Sequence, residues 1–293
     1  MKSAPFTYHR PSSVEQALEI LASVAEDGGR ILAGGQSLVP MMALRVAYPP
    51  HLVDINEIAE LDRAQVEGGQ FVIGALARHA RFHECIASGP LGRLMTAVAQ
   101  HIAHYPIRQR GTFCGSIAHA DPSSEWCLVT ATLNGSVILR NRAGSREVQA
   151  REYFQGVMAT EMAADEMVFE VRLPLLGEDE RFGFVEFNRR AGDFALGMSL
   201  VTFRLRDGLM VDVRVGVGGA ETHPRRIEQA EAALSGKAPG EAVFRAAANA
   251  AADALTPLED EQTDAVYRRD LVRVVVRRAL EQAWSGQTGT GTN

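Results

Sequence analysis

An alternating run in the C-terminal third of this 293-residue chain constrains its fold most strongly. Over residues 211–218, valine occupies every odd position, and the even positions hold Asp212, Arg214, Gly216 and Gly218. This alternation is typical of a strand in an antiparallel sheet that is covered on one face. Segments with helical spacing follow, so we predict that helices cover the sheet. The candidate strands are 182–189, 195–206 and 210–218, and the candidate helices are 225–235, 241–254 and 264–284.

The chain before this sheet mixes short strands and helices, which places the whole protein in the α+β class. Ser12 and Glu15 have the spacing of a capping box ahead of a helix predicted over 13–25. A short apolar strand then ends at Gly34-Gly35, and a short helix follows. The predicted units are an N-terminal domain over 1–176 with two α/β subdomains split near residue 56, a C-terminal sheet-plus-helices domain over 177–285, and a flexible tail over 286–293.

The middle of the N-terminal domain contains a segment with little periodicity. Residues 107–125 are rich in Gly, Ser, Asp and His, and they predict a long ordered loop. Loops of that length inside compact domains are usually functional. The sequence around it predicts helices over 78–86, 91–104 and 126–133, a hairpin over 137–148 and a strand over 168–173.

Charge and composition exclude several classes of protein. The 36 acidic and 30 basic residues give a net charge of −6, and no block of Lys or Arg supplies the basic surface that nucleic acid requires. Lys2 and Lys237 are the only lysines, so the sequence contains no P-loop for ATP or GTP. No apolar run approaches the roughly 20 residues that a membrane span needs, and we predict a cytoplasmic protein.

The cysteines and histidines do not indicate a metal site. The three cysteines form no CxxC pair and are too few for a four-thiolate iron–sulfur cluster within this chain. His79 and His83 lie one helical turn apart, as do His101 and His104, but neither pair belongs to an HExxH motif. We interpret all four as surface or packing residues.

The first candidate site is a segment with two consecutive glycines: Ala33, Gly34, Gly35, Gln36, Ser37 and Leu38. Consecutive glycines after a strand let backbone N–H groups turn towards an anion, and the start of a helix adds further N–H groups and the positive end of its dipole. The pattern therefore predicts a cradle for a pyrophosphate. A plain turn is the commoner role of Gly-Gly after a strand, and the segment lacks the GxGxxG of a Rossmann unit.

A second glycine-bearing segment starts at Gly111 and continues through Thr112, Phe113, Cys114, Gly115 and Ser116. The hydroxyls of Ser37, Thr112 and Ser116 suit the two phosphates and the ribityl chain of a dinucleotide. One such segment is common by chance, whereas two in one chain indicate a binding site.

With their spacing and the sequence around them, the two segments resemble the FAD-binding medium subunit of the molybdenum hydroxylases, the family of xanthine dehydrogenase and aerobic carbon monoxide dehydrogenase. The resemblance covers nearly the whole chain. Its landmarks are FTYHRP at 6–11, AGGQSLVP at 33–40, HLVDI at 51–55, IGA at 73–75, TFCGSIAHADPSSE at 112–125, RAGDFA at 190–195 and GGA at 218–220.

The resemblance implies a division of labour among three subunits. This chain is expected to bind FAD and to carry neither a catalytic residue nor a metal. A large subunit is expected to hold a molybdenum–pterin centre, and a small subunit to carry two 2Fe-2S clusters. Electrons are expected to pass from those clusters to FAD and on to an external acceptor, within a dimer of heterotrimers.

The resemblance also implies which residues contact FAD. They are Ala33, Gly34, Gly35, Gln36, Ser37, Leu38, Thr112, Phe113, Cys114, Gly115, Ser116, Asp121, Glu125 and Phe194. Phe194 has no hydroxyl, so packing near the isoalloxazine is the contact it offers. Two residues depart from the family pattern, since Gln36 stands where relatives often have histidine and Cys114 stands in place of a glycine. A cysteine at a positive φ would be strained, so the second segment either shifts or does not need that freedom.

Two other functions fit the same residues. A self-contained flavin oxidase would bind and oxidise a small substrate beside the isoalloxazine. A non-catalytic binding or assembly protein would retain the fold without FAD. Under the medium-subunit interpretation, the large subunit and not this chain selects the substrate.

Overall fold

Ser13 starts the first helix and sets the first layer of the fold. In the computed structural model, which describes residues 2–260 and 263–286, the Ser13 hydroxyl accepts a hydrogen bond from the backbone N–H of Gln16 at 3.2 Å. Helix α1 (Val14–Val24) confirms the helix predicted over 13–25. The predicted capping pair is wrong by one residue, because Gln16 and not Glu15 reaches back to accept from the Ser12 backbone N–H at 2.8 Å.

Helix α1 packs on a small parallel sheet. Its strands are β1 (Thr7–His9), β2 (Arg30–Leu32) and β3 (His51–Asp54), and they pair in the order β1-β3-β2. Short helix α2 (Leu38–Ala43) follows the two glycines after β2, as predicted. Apolar residues of α1 and β3 belong to one buried core, in which Leu21 and Val53 are 2% and 0% exposed.

A five-stranded antiparallel sheet follows. Its strands are β4 (Ala64–Glu67), β5 (Gln70–Gly74), β6 (Ser136–Asn141), β7 (Gly144–Gln149) and β10 (Met167–Pro174). They pair in the order β4-β5-β10-β6-β7, and β8 (Phe154–Gly156) and β9 (Ala159–Thr160) form a separate hairpin. The predicted hairpin over 137–148 and the predicted strand over 168–173 are confirmed.

Helices accompany this sheet along the same stretch of chain. They are α3 (Gly89–Ala99), α4 (Tyr105–Arg110), α5 (Phe113–His119), α6 (Glu125–Thr132) and α7 (Ala150–Tyr153). The helix predicted over 91–104 therefore ends early, at Ala99. The segment predicted as a helix over 78–86 is a 3₁₀ turn, His79–His83.

The prediction of a long loop over 107–125 is wrong. Helices α4 and α5 occupy much of it, and at 6 and 7 residues they are too short to show helical periodicity. Thr112 caps α5, since its hydroxyl accepts a hydrogen bond from the Gly115 backbone N–H at 3.0 Å. Phe113 and Ile117 are fully buried. Tertiary packing rather than sequence pattern stabilises this helix, as is usual for short helices.

The C-terminal sheet contains the three predicted strands and also a short fourth strand, which occupies the start of the helix predicted over 225–235. Strands β11 (Arg181–Phe187), β12 (Gly197–Arg206), β13 (Leu209–Gly218) and β14 (Arg225–Arg226) pair antiparallel in that order. Helices α8 (Glu228–Leu234), α9 (Glu241–Asp253) and α10 (Ala265–Ser285) pack with Val213, Val215 and Val217 in one core cluster. The valines that alternate over residues 211–217 therefore lie on the face of the sheet that the helices cover, as predicted.

Helix α6 of the N-terminal half covers part of the other face of this sheet. A Cβ built on Gly216 would lie 1.8 Å from Oγ1 of Thr132, which is shorter than any real contact. Glycine at this position lets α6 lie directly on β13. The two halves of the chain therefore share a tightly packed contact.

The tail predicted over 286–293 falls, apart from Gly286, outside the described residues. Within the described ranges, no helix combines the length and the apolar character that a membrane crossing requires. Cys85, Cys114 and Cys127 are free thiols.

Gly183 on β11 offers a test of the packing beneath α10. A Cβ at this position would lie 1.9 Å from the carbonyl oxygen of Ala279, so Gly183→Ala must displace the helix or the strand. We expect the free energy of unfolding to fall by about 2 kcal/mol, with a lower melting temperature in calorimetry. Gly156→Ala is the control, because its Cβ would meet the Cβ of Ala159 at an ordinary 3.7 Å. Equal melting temperatures for the two variants would contradict this packing.

Candidate functional site

The structure brings the two glycine-bearing segments into direct contact. A Cβ built on Gly34 would lie 2.4 Å from the carbonyl oxygen of Arg110 and 2.7 Å from the Cα of Gly111. No side chain fits between these two backbones, so glycine at position 34 is required by the close approach. The segments that follow β2 and α4 thus form one continuous wall.

Gly35 gives the first segment its turn. Its φ of +70° lies in the left-handed region, which residues with a Cβ rarely adopt. A Cβ at this position would also lie 3.2 Å from both Leu32 Cδ1 and Val39 Cγ2. The backbone therefore reverses between β2 and α2 at a position where glycine is strongly favoured.

Two polar side chains tie the segments together. The Asn56 side-chain amide, just after β3, donates a hydrogen bond to the Ala33 carbonyl oxygen at 2.8 Å. The Arg78 guanidinium donates both to Oδ1 of Asn56 and to the Arg110 carbonyl oxygen. This network links Ala33, which follows β2 and begins the first segment, to Arg110, which ends α4. Sequence reasoning missed both residues, because neither lies in a recognisable motif.

A cavity of about 730 Å³ lies between the two segments. That volume falls within the range of about 300–1,000 Å³ that is usual for sites of small molecules and cofactors. Ten of the predicted site residues line it: Ala33, Gly34, Gly35, Gln36, Ser37, Leu38, Thr112, Cys114, Gly115 and Ser116.

Four predicted site residues do not line this cavity. Phe113 packs in the core, with its ring centroid 4.9 Å from that of Trp126. Asp121 accepts a hydrogen bond from the Ser123 backbone N–H at 2.8 Å. Phe194 is 75% exposed on the loop between β11 and β12, and Glu125 starts α6. Their contact with a cofactor stays a prediction.

Cys114 does not have the strained backbone that a glycine at this position would permit. It lies in the first turn of α5 and is not among the residues with positive φ. Its thiol is 1% exposed and lies 3.3 Å and 3.4 Å from the carbonyl oxygens of Ile73 and Gly74. Burial raises the pKa of this thiol far above its ordinary value. Cysteine therefore fits here because the second segment is helical, and the thiol is chemically quiet.

His79 is a packing residue, as the sequence predicts, and it also lies at the cavity. It is 5% exposed, lines the cavity, and accepts a hydrogen bond at Nδ1 from Nε1 of Trp126 at 2.9 Å. Burial lowers the pKa of His79 to about 3, helped by the charges of Arg78 and Arg108. No local pattern signals this placement, because the Trp126 contact is made across the fold.

Two neighbouring carboxyls, those of Glu186 and Glu125, lie where the C-terminal sheet meets α6. The Glu186 side chain is 1% exposed, and its Oε1 accepts a hydrogen bond from Asn188 at 2.9 Å. Its Oε2 has no hydrogen-bond partner among the described residues. Burial and the neighbouring Glu125 raise the pKa of Glu186, and burial with the charge of Asp121 raises the pKa of Glu125. Both carboxyls therefore hold their protons to higher pH than an exposed glutamate.

Hydrogen bonds join the segment after α5 to the C-terminal domain. The Ser123 hydroxyl donates to the Ala195 carbonyl oxygen at 2.8 Å, and the Gly219 backbone N–H donates to the Pro122 carbonyl oxygen at 2.8 Å. The loop that carries Phe194 is therefore anchored close to Asp121. In the part of the chain that the structure describes, no three His, Cys, Asp or Glu side chains converge as a metal site.

Comparison with protein families agrees with this two-part organisation. Residues 4–176 match the family described as "FAD binding domain in molybdopterin dehydrogenase". Residues 182–283 match "CO dehydrogenase flavoprotein C-terminal domain". Together the two matches span nearly all of the chain.

Full-length relatives and solved structures give a consistent result. The nicotine 6-hydroxylase medium subunit of Paenarthrobacter nicotinovorans is 36% identical, covering 97% of this chain and 99% of the relative. The carbon monoxide dehydrogenase medium chain of Hydrogenophaga pseudoflava is 33% identical, covering 96% and 97%. The structure of carbon monoxide dehydrogenase from that organism superposes with a TM-score of 0.91 at 34% identity, covering 97% of this chain and 99% of the other. Quinoline 2-oxidoreductase from Pseudomonas putida 86 also gives a TM-score of 0.91, at 31% identity over 99% and 100%.

The buried carboxyl of Glu186 predicts a pH-dependent stability. Because its pKa in the folded chain lies above the ordinary value of 4.5, its contribution to stability is complete below that pH and is lost as the pH rises. We expect Glu186→Gln, which stays neutral, to melt at an increasingly higher temperature than wild type between about pH 5 and pH 9. Glu19→Gln on the exposed side of α1 is the control. A difference that is constant with pH would show that Glu186 is not a buried titrating group.

Proposed function

The chain belongs to the FAD-binding medium subunits of the molybdenum hydroxylase family, and on that premise we propose that it relays electrons through FAD to an external acceptor. It is the FAD-binding subunit of an oxidoreductase. The proposed electron source is a small partner subunit with two 2Fe-2S clusters. A large molybdenum–pterin subunit would reduce those clusters, within a dimer of heterotrimers.

The wall of the cavity formed by the two glycine segments carries this proposal. Within the described residues, the backbone N–H groups of Gly34, Gly35 and Gln36 have no hydrogen-bond acceptor. Backbone N–H groups that are left free on the wall of a cavity suit a ligand that accepts hydrogen bonds. The pyrophosphate of FAD is such a ligand.

The side chains around the cavity fit the rest of a dinucleotide. Ser37 and Ser116 bring hydroxyls to the lining, and Thr112 keeps a hydroxyl proton free to donate because it serves α5 as an acceptor. When bound, FAD supplies the redox chemistry, while the protein supplies binding and orientation. We assign no catalytic residue to the chain, because substrate oxidation is proposed to occur on a partner.

We assign FAD binding to residues 1–176 and the helix-covered sheet to 177–285, supported by separate family matches over 4–176 and 182–283. We propose a cytoplasmic location, supported by three free thiols, the state that a reducing compartment maintains. The charge of −6 supports a complex that does not involve nucleic acid.

Gly35→Val tests the cradle. Valine at φ +70° is strained by about 1–3 kcal/mol, and it narrows the turn that faces the cavity. We expect FAD affinity to fall about tenfold or more, measured as FAD released by acid from the purified chain and by titration of the apo chain. Acid release also tests our expectation that FAD is bound non-covalently.

The matched control for this variant is Gly69→Val. Gly69 has a similar φ of +78° in an open turn away from the cavity, with nothing within 4 Å of an added Cβ. This variant should lose stability from the same backbone strain yet keep its FAD. Equal loss of FAD in both variants would mean that strain, and not the cradle, is responsible.

The electron-relay proposal predicts how the flavin becomes reduced. We expect the isolated, FAD-loaded chain to stay oxidised under anaerobic conditions with nicotine, quinoline or carbon monoxide, the compounds in the names of its relatives. Dithionite should bleach it, which shows that the flavin is competent. Reduction by an organic substrate should require the molybdenum and iron–sulfur subunits. Rapid bleaching of the isolated chain by a substrate would favour a self-contained oxidase, and a chain that binds no FAD would favour an assembly protein.

A further inference from the structure

His79 lies outside both glycine segments, yet it is held against the second one. Its backbone N–H donates to the Gly111 carbonyl oxygen at 3.0 Å, and the Phe113 backbone N–H donates to the Ala77 carbonyl oxygen at 2.9 Å. A Cβ built on Gly111 would lie 2.6 Å from Nε2 of His79. The imidazole therefore occupies the space beside Gly111 that a side chain would need, and its position relative to the cavity wall is fixed.

The hydrogen bond from Trp126 fixes the proton on the ring. The indole Nε1–H is a donor only, so the Nδ1 that receives it at 2.9 Å must carry a lone pair. The ring is buried and neutral near pH 7, because burial, Arg78 and Arg108 all disfavour its cationic form. A neutral imidazole with a lone pair on Nδ1 carries its proton on Nε2.

The Nε2–H group is a donor without an acceptor in the described part of the chain. The bond from Trp126 is the one side-chain hydrogen bond that His79 makes there. The residue lines the cavity. Because Nδ1 is occupied by the bond from Trp126, Nε2 is the ring nitrogen that remains available to a ligand. Nε2 of His79 is not one of the fully buried side-chain atoms that lack a partner, so its N–H group is accessible from the cavity and available to a ligand there.

We propose that His79 binds the cofactor, its Nε2–H donating a hydrogen bond to an acceptor oxygen of FAD. Trp126 is a positioning residue, because it selects the tautomer that can donate. This inference rests on the proposed binding of FAD and adds a contact from outside the two glycine segments. The neutral ring can donate at Nε2 but cannot accept there, so it selects an acceptor atom of the ligand.

The test compares His79→Leu with His79→Gln. Both variants disturb the bond from Trp126, but glutamine keeps an N–H donor on a side chain of similar reach and leucine does not. We expect the dissociation constant for FAD to rise about tenfold or more for His79→Leu and much less for His79→Gln. Titration of the apo chains by flavin fluorescence gives both values. His83→Leu, on the same 3₁₀ turn but outside the lining, should bind FAD like wild type.

Nuclear magnetic resonance of nitrogen-labelled histidines supplies a readout that does not depend on a variant that folds. In the wild-type chain, His79 should be neutral with its proton on Nε2, and that signal should shift when FAD is added. A cationic ring, a proton on Nδ1, or a signal that FAD leaves unchanged would overturn the proposal. Equal FAD affinity for the leucine and glutamine variants would also overturn it, whereas a wild-type chain that takes up no FAD would instead refute the proposed function.

Discussion

The contact between Gly34 and the backbone at Arg110 and Gly111 is the constraint on which the site depends. With only 2.4 Å between a hypothetical Cβ and the Arg110 oxygen, the two main chains touch with no side chain between them. A wall built this way presents peptide groups to the cavity instead of side chains. Peptide N–H groups are fixed dipoles that need no reorganisation when an anion arrives. The parallel sheet and the α4–α5 region must be docked correctly before that wall exists.

Side chains from the chain between the two segments hold this docking in place. Asn56 and Arg78 satisfy the carbonyl oxygens of Ala33 and Arg110, which would otherwise be left unpaired beside the contact. His79 follows at once and packs its ring against Gly111. Hydrogen bonds that form a connected network of this kind are stabilising and also select one arrangement.

Helix α6 connects the cavity to the C-terminal sheet. Its residues Trp126–Thr132 are all buried, because the helix is packed on several sides. Trp126 contacts His79 at one end, and Thr132 lies on Gly216 of β13 at the other. Glu125 at its start lies near Glu186 of β11, so the electrostatics of the domain contact and the geometry of the cavity share one element. A change in how the sheet packs on α6 would therefore change the position of Trp126 and, through its hydrogen bond, that of His79.

Local patterns in the sequence were enough to predict the elements whose residues repeat with a regular period. The alternation over 211–217 has the period of 2 residues that is typical of a strand, and it predicted the C-terminal sheet and its covered face. The spacing in α1, α9 and α10 has the period of 3.6 residues that is typical of a helix, and it predicted these three helices. The Gly-Gly after β2 and the glycines of the second segment likewise led to the prediction of ten residues that line the cavity. Helices α4 and α5 were missed because they are too short for a period to show. Asn56, Arg78 and His79 were missed because their partners lie far away along the chain. The contact of Gly34 with Gly111 and the ring nitrogen of His79 that Trp126 leaves free are visible only in the folded chain, since such contacts depend on how distant segments dock.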